Sequence, residues 1–197
     1  MVDAAAVATG LGEAGAAFGP PAASPPALCW GALFDELDGD DDTGYVTAIE
    51  LIYEGYLFHY RQSRVCAADA AAGRENALLA GDFLYARGLR LVAARGDVAA
   101  VGLLTRLMAA CSCLRSVQAP FAADDALWAY TVAGLAALRH GGAAGAEGLF
   151  ERLDAALFGG AGADVPALAR REAAGLGLRD AAPLERALAA VPTGVVS

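Results

Sequence analysis

The chain has 197 residues, 57% hydrophobic and only 19% charged, enough to bury one sizeable core. Its formal net charge of -9 at pH 7 argues against a nucleic-acid surface, because such surfaces neutralise phosphates with Lys and Arg. All 14 basic residues are Arg, which excludes a lysine Schiff base or a phosphate-binding ammonium.

Abundant Ala and few β-branched runs predict an all-α protein. Residues 1–25 read as a short N-terminal helix followed by a Pro-rich connector, Gly19-Pro20-Pro21 and Ser24-Pro25-Pro26. Residues 26–197 then read as one helical domain. A second helix is expected over 26–37, and Gly39 to Gly44 breaks the chain. A long helix from about Tyr45 carries Ile49, Ile52, Tyr56 and His59 at spacings of three and four. Further helices are predicted near 74–94, 97–118, 123–140, 144–158, 164–175 and 180–190.

The start MVDAAAVATG lacks the basic region of a secretory signal, and Cys29, Cys66, Cys111 and Cys113 lie in apolar helical stretches. A cytoplasmic location and core thiols are therefore expected. Cys111-Ser112-Cys113 alone lacks the second pair that a zinc site needs. Arg106, Arg115 and Arg139 interrupt the most apolar stretches, so no transmembrane segment is expected, and peripheral membrane contact stays open.

The acidic turn from Asp38 to Glu50 has the outline of a calcium loop but the wrong register. With Glu50 at the twelfth position, Gly39, Asp41 and Thr43 fall at the first, third and fifth, leaving one carboxylate of three. Asp42 or Thr43 as a helix N-cap explains the same residues. Glu54, Asp69, Glu75 and Asp82 match no metal or acid–base template and are expected to be solvated or capping. His59 and His140 have no evident partners in the sequence. Neither a G-x-S-x-G elbow nor a P-loop is present.

From Thr47 to Asp97 the chain resembles the core of the trans-polyprenyl diphosphate synthases. In that family a helix of the form E-L-I-H-x-x-S-L-x-H-D-D-x-x-D bears the first aspartate-rich motif, and a later helix opens G-D-[YF]-L. Here Glu50-Leu51-Ile52 and Leu57-Phe58-His59 match the first frame, and Gly81-Asp82-Phe83-Leu84 matches the second. Tyr60, Arg61 and Arg64 stand where the aspartates would be. Arginine cannot ligate magnesium, so the resemblance implies a helix without the family's metal site, although guanidinium groups remain suited to a diphosphate. Elsewhere Tyr130-Thr131 stands for the family's Lys-Thr, and Asp180 alone is left of the second aspartate-rich motif. The family's later helices and basic tail are absent from this sequence.

The resemblance implies a truncated, degenerate isoprenoid-synthase helical bundle: a non-catalytic, regulatory or structural small subunit of a heteromeric polyprenyl diphosphate synthase. It implies no catalytic residue, no metal and no cofactor here, with Mg bound by the catalytic partner and prenyl diphosphate as an open ligand. His59, Tyr60, Arg61 and Arg64 are the degenerate motif positions, and Gly81 and Asp82 the structural motif. Phe83, Leu84, Arg87, Leu91, Leu103, Leu104, Leu107 and Cys111 are the candidate partner interface, although the same stripe suits a core-facing helix. A prenyl-lipid-binding carrier and a stand-alone enzyme with a rebuilt site are the alternatives.

Overall fold

The computed structural model describes residues 3–16, 18, 22, 24, 26–66, 74–141, 148, 150, 151 and 164–192. The described elements are α1 (Ala4–Gly15), α2 (Trp30–Asp38), α3 (Thr43–Tyr60), α4 (Arg74–Ala93), α5 (Val98–Ser116), α6 (Phe121–Arg139), α7 (Val165–Glu172), a 3-10 turn (Ala173–Leu176) and α8 (Ala182–Ala190). The protein is all-α, with no strand among the described residues. The expected helix over 144–158 lies almost wholly outside them.

The chain divides into two compact units, residues 1–35 with 40–97 and residues 36–39 with 98–197. The division falls within α2 and before α5, so α1 belongs to the first unit and the expected single domain from residue 26 is described in two parts.

In the first unit α3 packs along α4, and α1 adds Val7, Leu11 and Ala14 to the core. Gly39 in the left-handed region (φ +74°) follows α2, and the Asp42 carboxylate then caps α3 by accepting from the Gly44 and Tyr45 amides, both at 3.1 Å. Asp42 also pairs with Arg95, and Tyr45 donates to Asp97, fastening the start of α3 beside the end of α4. From Tyr45 to Leu57 α3 is buried almost all round, which no amphipathic stripe would produce.

Three glycines permit the close approach of α3 and α4. A Cβ on Gly55 would meet the Gly81 carbonyl at 2.9 Å, one on Gly81 would strike His59, and one on Gly88 would meet the Ala48 carbonyl at 2.8 Å. Larger residues there would force the two backbones apart.

In the second unit α6 is the central helix, buried from Ala126 through Ala137 and packed on α5, α7, the 3-10 turn and α8. Arg115 near the end of α5 pairs with buried Asp124 at 2.8 Å and lies 4.2 Å from the Phe121 ring, closing the α5–α6 turn. Asp164 caps α7, while Arg170 donates to the Leu188 and Val191 carbonyls at the end of α8.

By length and composition α5 is apolar enough to cross a membrane, contrary to the reading from its arginines. Its residues nevertheless divide by face: Leu103, Leu104, Leu107, Cys111 and Leu114 are buried, whereas Thr105, Arg106 and Ser112 are exposed. That division is the pattern of a helix against a protein core.

Candidate functional site

The sequence directs attention to α3, whose middle carries a buried charge cluster. Glu50 and Glu54 sit one turn apart on α3, both fully buried. Glu50 Oε1 accepts the Cys29 and Gly31 amides at 2.8 and 2.7 Å, and its Oε2 accepts Arg64 Nη1 at 2.8 Å. Glu54 Oε1 accepts Ser63 Oγ at 2.7 Å and the Arg64 amide at 2.8 Å, while its Oε2 accepts Arg64 Nε at 2.9 Å. The Arg64 guanidinium also lies 4.8 Å from the Tyr53 ring and donates to the Ala27 carbonyl at 3.1 Å.

Every oxygen of the two carboxylates is therefore engaged. Burial by itself would lower the Arg64 pKa, but the Glu50 and Glu54 carboxylates outweigh it and hold the pKa above the ordinary arginine value. The cluster fastens residues 27–31, which lead into α2, and the irregular segment 63–66 to the middle of α3. With all four carboxylate oxygens hydrogen-bonded and turned inward, it positions chain rather than reactants.

This placement changes the reading of several residues. Glu54 is neither solvated nor a cap but half of a buried ion pair. Arg64 faces inward, so its guanidinium is not part of a solvent-facing mouth. Arg61 caps α3 through its amide, which donates to the Leu57 carbonyl, and its guanidinium lies 5.5 Å from the Tyr56 ring. Tyr60, the last residue of α3, packs against Tyr56 at 5.4 Å. His59 does have partners: it stacks on Tyr85 at 5.2 Å and its Nε2 lies 3.2 Å from Asp82 Oδ1. Gly81 and Asp82 thus both meet His59, one by making room for its ring and the other by placing a carboxylate oxygen beside Nε2. His140 also has a partner, the Asp38 carbonyl, at 3.0 Å.

Downstream, Tyr130 and Thr131 are fully buried on α6, and Asp180 accepts the Ala182 amide at 2.9 Å, at the start of α8. Asp69 and the Glu75 side chain lie outside the described residues.

Of the eight interface candidates, Leu84, Leu103, Leu104, Leu107 and Cys111 are buried in the chain's own interior, each at most 5% exposed. They form core and are not available to a partner. Leu91 is half-buried, whereas Phe83 is 46% exposed. Phe83, Ala86, Arg87 and Arg90 line a shallow open groove of about 290 Å³ on the outer face of α4. Phe18 packs against one side of Phe83, with ring centres 5.4 Å apart.

Residue spacing alone does not reveal the Glu50–Arg64–Glu54 cluster. Its signal was two acids four residues apart inside an otherwise apolar helix, a pattern that demands a buried cation. Comparison with known protein families, curated proteins and solved structures finds no match.

Proposed function

We propose that this chain is the non-catalytic small subunit of a heteromeric trans-polyprenyl diphosphate synthase, with an isoprenoid-synthase type of bundle, supporting the activity or product length of a catalytic partner that binds magnesium. The observation that carries the reading is the fate of the first-motif positions. Tyr60 ends α3, Arg61 caps it, and Arg64 lies beyond it, with its charge consumed by Glu50 and Glu54. Magnesium requires accessible hard oxygens, and the two α3 carboxylates have none to spare. The α3–α4 frame, by contrast, is closely packed through Gly55, Gly81 and Gly88. A frame kept without its metal ligands suits a supporting subunit better than a transferase.

The test measures prenyl transfer by a full-length synthase from the same organism with and without this chain, resolving products by length. The expected result is activity or a product length seen only in the mixture, together with co-purification. A chain that neither co-purifies nor changes rate or product overturns the proposal.

A further inference from the structure

The face of α4 opposite its glycines combines exposed apolar side chains with two arginines. Gly81 and Gly88 turn toward α3, and the opposite stripe carries Leu79, Phe83, Ala86, Arg87 and Arg90 at helical spacing. From Leu79 to Arg90 the stripe runs about 16 Å at the rise of an α-helix. Leu79 is 63% exposed and Phe83 46%. Six arginines among the described residues, Arg64, Arg95, Arg115, Arg139, Arg171 and Arg186, each pair with a carboxylate. Arg87 and Arg90 make no ion pair with a described residue, and both line the groove beside Phe83.

We infer that this stripe is a docking site for an acidic amphipathic helix of a different protein, whose apolar residues cover Leu79 and Phe83 and whose carboxylates pair with Arg87 and Arg90. Charge selects the occupant. A chain of net charge -9 presents here two unpaired arginines at the end of an apolar stripe, and guanidinium forks favour carboxylates. A second copy fits poorly, because the stripe carries no acid: parallel pairing opposes arginine to arginine, and antiparallel pairing buries four arginines without a counter-charge. Asp82, beside the stripe on α4, lies 3.2 Å from His59 Nε2. An anionic bilayer also fits poorly, since two arginines on so acidic a chain give weak attraction. The inference rests on the subunit reading only for the partner's identity.

The probe is a fluorescent synthetic helix with leucines at i, i+4 and i+7 flanked by glutamates, alongside a twin with lysines for glutamates, both followed by anisotropy. Wild-type chain is expected to bind the acidic helix, with affinity falling at least about tenfold in F83S or in R87E/R90E. The charge-reversed variant is expected to prefer the lysine twin. Circular dichroism and thermal melts establish that each variant is folded, as exposed Phe83 and Arg90 and half-buried Arg87 permit. Binding of neither helix, equal binding of both, or binding unchanged in the variants overturns the inference. So does wild-type self-association, or adhesion to anionic vesicles, that R87E/R90E abolishes without any acidic-helix binding.

A second arm separates the two proposals, using the full-length synthase as ligand. If it binds wild type and R87E/R90E alike, the docking site is wrong and the subunit reading stands. If the acidic helix binds at the stripe and the synthase does not bind at all, the subunit reading falls and the docking site stands.

Discussion

The α3–α4 and α5–α6 pairs are built from helices of 18 to 20 residues and close in different ways. The first pair brings backbones together at Gly55, Gly81 and Gly88, where an added Cβ would strike the facing helix. In the second, a Cβ on Gly102 of α5 meets nothing within 4 Å, and buried Leu and Ala side chains fill the core. Their buried acids differ too. Asp124 of α6 is matched by one arginine, Arg115, whereas Glu50 and Glu54 of α3 share Arg64 and draw their remaining donors from backbone and Ser63. Small residues and charge, elsewhere signs of loose or solvated helix, specify close packing in the first unit.

Arg64→Ala should break that contrast most severely, leaving two buried carboxylates without their cation at a cost of about 3–5 kcal/mol. Urea unfolding of Arg64→Ala, Glu54→Gln and Glu54→Gln/Arg64→Ala should show the double change costing less than the sum of the singles, since the partners share one network.

The glycine contrast predicts opposite signs for one chemical change. Gly88→Ala should destabilise by about 1–3 kcal/mol, because its methyl meets a backbone carbonyl that cannot rotate away. Gly102→Ala, on an exposed part of α5, should stabilise by about 0.5–1 kcal/mol through helix propensity. Thermal melts of the two variants decide this; a loss at Gly102 or a gain at Gly88 refutes the close-packing account.

The smallest effect concerns Cys66, which is buried beside the cluster. Burial pushes its thiol up, the Ser63 hydrogen bond opposes this, and Glu54 adds to it. A folded-state pKa above the ordinary thiol value contributes stability that is present below that value and is lost as pH rises through the raised one. Cys66→Ser should therefore flatten the fall in stability measured by urea melts as pH rises above the ordinary thiol range. Thiol labelling at neutral pH should reach exposed Cys29 well before Cys66 or Cys111.

Much of the fold was legible in the sequence. Apolar periodicity and Gly–Asp punctuation gave all-α structure, the break at residues 39–44 and helices close to α3 through α6. A cap at Asp42 or Thr43 followed from local chemistry, and the structure places it at Asp42. The second helix begins at Trp30 rather than at residue 26, because Cys29 and Gly31 commit their amides to Glu50, a contact across 21 and 19 residues that no local rule contains. The same limit hid the site. Glu54 and Arg64 are ten residues apart and separated by the end of α3, so their pairing appears only once the chain turns back. On α4 and α5, periodicity identified an apolar stripe but could not divide it between core and surface; burial assigns Leu84 and Leu104 to the core and leaves Phe83 outside.

The most direct measurement is a calorimetric titration of the isolated chain with magnesium and a prenyl diphosphate. Because the α3 carboxylates are fully committed to Arg64, Ser63 and backbone amides, the account predicts no saturable magnesium binding that Glu50→Gln or Glu54→Gln removes. Stoichiometric magnesium uptake lost in either variant, accompanied by release of pyrophosphate, would contradict it: the cluster would then be a working metal site and the chain an enzyme.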